Sequence, residues 1–158
     1  MVEVGDPAPD FTAPLANGDI VPFTLSEHLD EAPLVLAFFP GAFTSVCTTE
    51  LCTFEERMGV FEDMGATVYG ISVDSPFALN EFREQEDLGF GLVSDHQKVV
   101  IDRYDVRDSF DDLGYYGLAQ RSVFVVDDDG TITYKWTAEH PGQEPDYEAV
   151  EAAAEETA

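Results

Sequence analysis

The chain has 158 residues, 44% of them hydrophobic and 12 of them Phe, which suits one domain with a packed core spanning 1–158 and excludes a disordered chain. Its 33 Asp and Glu against 7 Lys and Arg give a formal net charge of -26, a field that repels phosphate backbones and anionic lipid, so neither nucleic acid nor a membrane is expected as a partner. No run approaches the ~20 apolar residues of a membrane span, and the start, MVEVGDPAPD, lacks the features of a secretion signal, so a soluble, cytoplasmic protein is expected.

The acids are spread along the whole chain, and lysine occurs only as Lys98 and Lys135. That distribution fits a surface adapted to a salt-rich, screening cytoplasm better than a single acidic face for a basic partner.

Residues 1–33 alternate turn signals with short apolar stretches, which predicts an irregular N-terminal cover containing a hairpin at Asn17-Gly18. Leu34 to Phe39 is a continuous apolar run of strand length, as expected for a central strand buried on both faces. From about Val46, the apolar residues Leu51, Phe54, Met58 and Phe61 recur at helical spacing until Gly65, predicting one amphipathic helix. A strand over Thr67 to Val73 follows. Asp74-Ser75-Pro76 then reads as a cap with proline in the first turn, opening a helix to about Leu88.

Leu92-Val93 suggests a short strand, Lys98 to Tyr104 a short helix, and Asp105 to Gln120 a loop-rich stretch. Ser122 to Val126 and Thr131 to Trp136, joined by Asp127-Asp128-Asp129-Gly130, form the clearest hairpin. The Ala/Glu-rich end from Asp146 is expected to be a fraying helix. Strand–helix units followed by a hairpin predict an α/β fold in three layers, a central mixed sheet, mostly parallel with an antiparallel edge, flanked by helices, for which a thioredoxin-like arrangement is the simplest fit.

The only two cysteines, Cys47 and Cys52, lie in the segment FFPGAFTSVCTTELC directly after the central strand. An apolar strand running through a Pro/Gly loop into a helix start places Cys47 where free N–H groups and the positive end of the helix dipole favour an anionic sulfur. In a reducing compartment, two such cysteines point to catalysis or redox chemistry rather than to a structural staple. A small buried apolar side chain is the plainer account of Cys47.

Thr44 can cap the helix or hydrogen-bond the sulfur and a substrate oxygen. Pro40-Gly41 permits a tight turn beside the thiol, and Pro40 and Phe43 can keep water away from it. Arg121, one of five arginines, precedes the strand at Ser122 and reads either as a donor reaching the thiol pocket or as a surface ion-pair residue. Glu50 is an acid in the first turns of the helix, complementing its dipole.

His28, His96 and His140 do not combine with the cysteines in any zinc spacing, and no phosphate or dinucleotide loop is present, so no metal and no cofactor are expected. Asp127-Asp128-Asp129-Gly130 imitates a calcium loop, but a hairpin turn accounts for it.

Pro40-x-x-x-Thr44-x-x-Cys47, with an arginine before a later strand, resembles the active-site signature of the peroxiredoxins. Ala8-Pro9-Asp10-Phe11, Val68 to Val73 and Leu92 to Asp95 have counterparts in the same order, so the resemblance covers most of the chain. Cys47-Thr48-Thr49-Glu50-Leu51-Cys52 is similar to the bacterioferritin comigratory protein branch, and Phe39-Pro40-x-Ala42-Phe43-Thr44 to the alkyl hydroperoxide reductase E branch.

The resemblance implies a cofactor-free thiol peroxidase acting on hydrogen peroxide and organic hydroperoxides. Cys47 would be the nucleophile, Thr44 and Arg121 would orient the peroxide, and Glu50 would orient Arg121. It also implies a thioredoxin- or glutaredoxin-like reductant and a homodimer. Cys52 is either the resolving cysteine or a buried thiol beside an external resolver. On a straight helix, residues five apart have Cα atoms roughly 8.7 Å apart, beyond the ~7 Å a disulfide spans, so resolution by Cys52 requires the first turns to unwind. The alternatives are a thiol–disulfide oxidoreductase, disfavoured by the absence of C-x-x-C, and a redox-regulated chaperone or binding protein.

Overall fold

The structure, a computed structural model, describes residues 2–158. Its centre is β3 (Leu34–Phe38), buried at every position. Leu34, Leu36 and Phe38 face one core, while Val35 and Ala37 face another. This two-sided burial explains why the strand reads as an unbroken apolar run rather than an alternating one.

The main sheet has seven strands: β1 (Thr12–Ala16), β2 (Ile20–Thr24), β3, β4 (Thr67–Ser72), β5 (Gly91–Ser94), and the last two in chain order, Ser122–Val126 and Ile132–Thr137. Only the β3–β4 and β4–β5 pairings are parallel; every other pairing is antiparallel. The sheet is therefore mixed and flanked by helices, as the fold class expected, but with more antiparallel than parallel pairings, which corrects the expectation of a mostly parallel one. The N-terminal hairpin and the C-terminal hairpin each add two antiparallel strands at opposite edges.

Helices α1 (Ser45–Glu56), α2 (Met58–Asp63) and α3 (Pro76–Glu86) cover one face, together with the C-terminal helix Tyr147–Thr157. The other face is covered by α4 (Val99–Arg103) and by Phe11, Phe23 and Leu25 from the N-terminal segment. Among the described residues no helix is long and apolar enough to cross a membrane.

The N-terminal region is not an irregular cover. The β1–β2 hairpin pairs through Leu15 and Ala16 with Val93 and Leu92 of β5, so it completes the sheet. Pro22 sits on the edge strand β2, where its missing N–H costs no ladder bond.

The single helix expected after Cys47 is divided at Arg57, whose guanidinium is drawn to Glu151 at 2.6 Å and lies over the Tyr147 ring. The apolar spacing continues across the break, so periodicity alone does not reveal it. The stretch Asp105 to Gln120 is not loop but a two-stranded ribbon, β6 (Arg107–Phe110) and β7 (Tyr115–Ala119), with a register shift after Asp108. Its half-exposed strands lack the alternation that would mark them.

The strands after this ribbon are β8 (Ser122–Val126) and β9 (Ile132–Thr137), and the last helix is α5 (Tyr147–Thr157). Instead of fraying, α5 is capped by Asp146, which accepts from the Ala149 N–H, and it buries Val150 and Ala154 against the sheet.

Candidate active site

The run from β3 into α1 places Cys47 in the first turn of a helix whose N-cap residue is Thr44. Cys47 is 1% exposed, packed among Phe39, Leu51 and the core on the helical face of the sheet. A pocket of about 220 Å³ opens onto its sulfur, and Pro40, Thr44, Phe110, Arg121 and Pro141 form its walls with Cys47 itself.

Arg121 stands immediately before β8, the antiparallel neighbour of β3, and this pairing carries its side chain to the sulfur. Nη2 donates to Cys47 Sγ at 3.3 Å and to the Pro141 carbonyl at 2.9 Å, while Nη1 donates to Glu50 Oε1 at 2.6 Å. The fork is thus fixed on three sides. Burial alone would lower the guanidinium's pKa, but the charges of Glu50 and Cys47 outweigh it and hold that pKa above the ordinary value. Arg121 is 2% exposed, so the surface ion-pair reading does not describe it.

Glu50 is completely buried one turn along α1 from Cys47. Desolvation outweighs the opposing pull of Arg121 and raises its carboxyl to about 7, and the carboxylate of Glu144 adds to the rise. Its Oε2 finds no hydrogen-bond partner.

Thr44 differs from expectation. Its hydroxyl neither caps α1 nor touches the sulfur; it donates to the Gly41 carbonyl at 3.1 Å, tightening the loop that enters the helix. The residue still lines the pocket mouth. Pro40 is buried at the pocket wall, whereas Phe43 is 53% exposed and covers no part of it.

Both cysteines are free thiols on one continuous helix. Cys52 is half-buried, with Sγ 3.8 Å from Glu86 Oε2 on α3. Burial first, and then the Glu86, Glu56 and Glu55 carboxylates, push its thiol above the ordinary value. No C-x-x-C geometry supports the oxidoreductase alternative.

Sequence reasoning missed several wall residues, Pro141 and Phe110 among them. Pro141 acts through a backbone carbonyl, which leaves no trace in a side-chain pattern, and Phe110 belongs to the ribbon read as loop. A larger cleft of about 720 Å³ adjoins the pocket, sharing Phe110, Arg121 and Pro141, and its walls carry Asp108, Asp111, Asp112 and Glu139. Asp127, Asp128 and Asp129 do converge, but Asp127 Oδ1 accepts from the Asp129 and Thr131 N–H groups, as a hairpin turn requires.

Residues 4–135 match the model of the AhpC/TSA family. The chain is 31% identical over 137 residues to peroxiredoxin Bcp of Bacillus subtilis, an alignment covering 85% of each. It is 34% identical over 141 residues to the chloroplastic 2-cysteine peroxiredoxin of Chattonella marina var. antiqua, covering 84% of this chain and 69% of that one. Among solved structures, peroxidoxin BcpB of Mycobacterium tuberculosis superposes with a TM-score of 0.83 at 31% identity, covering 98% of this chain and 96% of the other. A buried cysteine at a helix start with a guanidinium on its sulfur, a thioredoxin-like sheet and these likenesses agree: the chain belongs to the AhpC/TSA family and is a peroxiredoxin, a thiol-dependent peroxidase.

Proposed function

We propose that residues 1–158 form one peroxiredoxin domain in which Cys47 is the nucleophile toward hydrogen peroxide and organic hydroperoxides. The observation that carries this assignment is the 3.3 Å contact from Arg121 Nη2 to Cys47 Sγ at the floor of an open pocket. The guanidinium and the positive end of α1 both favour an anionic sulfur. That sulfur attacks one peroxide oxygen: the S–O bond forms as the O–O bond breaks. The departing oxygen leaves with the electron pair, takes up a proton as water or alcohol, and Cys47 becomes a sulfenic acid.

Arg121 stabilises charge on the departing oxygen, and Glu50 positions Arg121 through their 2.6 Å ion pair. Thr44, at the pocket mouth, offers its hydroxyl oxygen to the bound peroxide, and Pro40 excludes water. Cys52 resolves the sulfenic acid after the first turns of α1 unwind. Unwinding also takes the Cys52 sulfur away from Glu86 and from the burial that hold it protonated. A thioredoxin- or glutaredoxin-like protein then reduces the disulfide, no cofactor takes part, and the protein works as a cytoplasmic homodimer without nucleic acid or membrane partners.

Stopped-flow peroxide consumption by the reduced protein and its Cys47→Ser and Cys52→Ser variants, with mass spectrometry of the products, tests the reading. Cys47→Ser should lose the fast reaction, and Cys52→Ser should keep it but accumulate sulfenic acid. Fast consumption by Cys47→Ser would remove Cys47 from the role. A Cys52→Ser protein that recycles like the parent would assign resolution to an external thiol.

A further inference from the structure

Strand β4 ends at Ser72, and the chain then turns through Asp74 before α3 begins. Asp74 does not cap α3, since Ser75 accepts from the Ala78 N–H and fills that place. Its Oδ2 instead accepts the Ala42 N–H at 2.8 Å and the Ser72 hydroxyl at 2.6 Å. The Ser94 hydroxyl of β5 donates to the Asp74 carbonyl at 2.6 Å. Ser72 and Ser94 are both fully buried. Asp74 is thus anchored to two strands, its carboxylate by Ser72 of β4 and its main-chain carbonyl by Ser94 of β5, and that carboxylate grips one peptide N–H of the loop that carries Pro40 and Thr44.

Among the described residues, this is the only hydrogen bond joining the 40–44 segment to another part of the fold; the Thr44 hydroxyl bonds within the loop, and the Thr44 carbonyl continues into α1. Between the gripped residue and the N-cap stands Phe43, with φ at +69. A bulky side chain in the left-handed region holds that conformation only where its surroundings impose it. Its ring meets Phe82 edge-on at 5.2 Å and is otherwise largely exposed, so packing contributes little restraint. The loop is under tension and held at one point.

We propose that Asp74 is a positioning residue, a latch whose hold on Ala42 keeps the Pro40–Thr44 loop and the first turn of α1 closed around Cys47, and whose release permits the unwinding that brings Cys47 to Cys52. The latch rests on the resolving role assigned to Cys52 above. In the resolving step the Cys52 thiolate attacks the sulfenyl sulfur of Cys47; the S–S bond forms, the S–O bond breaks, and hydroxide leaves and is protonated to water. While the latch holds, the sulfenic acid stays within reach of a second peroxide and can advance to the sulfinic acid. Asp74 therefore sets the partition between disulfide and overoxidation without touching the reacting atoms.

The test compares the parent with Asp74→Ala, Asp74→Asn and Ser72→Ala, the last a near-isosteric change that frees the carboxylate and the 3.3 Å contact of the Asp74 N–H while leaving Asp74 itself in place. Hydrogen exchange of the amides at the start of α1 reports unwinding whichever thiol resolves. Stopped-flow traces and mass spectrometry report the disulfide-to-sulfinic ratio. Losing a hydrogen bond to a charged group corresponds to roughly tenfold to hundredfold faster exchange there in Asp74→Ala, with a disulfide share that rises and a peroxide step that slows. Asp74→Asn, which keeps an acceptor for Ala42, should recover most of the difference, and Ser72→Ala should shift it partway.

Unchanged exchange at the start of α1 in both Asp74→Ala and Ser72→Ala would overturn the proposal. So would faster exchange spread evenly over the whole protein, or an Asn variant that behaves as the Ala variant does. A parent that forms no Cys47–Cys52 disulfide would instead retire the resolving role, leaving the exchange result to judge the latch.

Discussion

Glu50 has a buried carboxyl with one oxygen held by Arg121 and the other unpartnered, and its protonation ties stability to activity with opposite signs. Its folded-state value of about 7 lies above the ordinary 4.5, so the native state binds this proton more tightly than the unfolded chain does. Its contribution to stability is complete below about 4.5 and is lost as pH rises through about 7. In the role proposed for Glu50, the charged form orients Arg121, so the peroxide reaction should strengthen over the same interval. In Glu50→Gln, denaturant unfolding and stopped-flow rates measured from about pH 5 to 8 should both lose this pH-dependent step. A variant with the parent's slopes would show that Glu50 does not titrate there. The motif made Glu50 and Arg121 visible as residue types, but not the partner of either: a guanidinium 71 residues away from Glu50 reaches it only through the β3–β8 pairing.

Helix α1 is fastened at both ends, at its start by Arg121 on Cys47 and Glu50 and again toward its C-terminal end. Glu55 Oε1 accepts the Gly89 N–H at 2.6 Å, and Arg57, its C-cap, is held by Glu151 on α5. Its apolar face enters the core through Leu51 and Phe54, both fully buried. Leu51→Ala should cost about 2–5 kcal/mol of unfolding free energy through lost transfer energy and the cavity left behind, read by urea denaturation of the reduced protein. A loss below about 1 kcal/mol would mean that the site collapses around the smaller side chain. Helix α5 was legible as a helix but not as a packed one, because its Ala/Glu composition hides the two positions, Val150 and Ala154, that reach the sheet. Asp146→Ala, which removes its cap, should cost about 1 kcal/mol in the same assay.

Over the whole chain, the net charge of -26 has almost no cationic relief at the surface, because all seven Lys and Arg are engaged. Arg121, Arg57, Arg107 and Lys135 pair with carboxylates, and Arg83, Arg103 and Lys98 donate to backbone carbonyls. Self-repulsion among the remaining acids is damped only by dissolved salt. The thermal midpoint should therefore fall steadily as the protein is diluted from molar salt into dilute buffer. A midpoint that does not change would count against a salt-adapted surface.

Several features were readable from local order alone: a strand buried on both faces, a cysteine placed at a helix start by a Pro/Gly loop, the C-terminal hairpin, and a proline-led α3. Each depends on residues within a few positions of one another, where spacing, turn chemistry and capping act directly. Tertiary structure decided what depends on contacts between distant segments. It completed the sheet with the N-terminal hairpin, paired the weakly patterned ribbon, broke the helix at Arg57, bonded the Thr44 hydroxyl to the Gly41 carbonyl and brought the Pro141 carbonyl to Arg121. The physical reason is that hydrogen bonds and ion pairs between segments form only after the chain has folded, and a backbone carbonyl or a half-exposed strand carries no side-chain pattern to announce them.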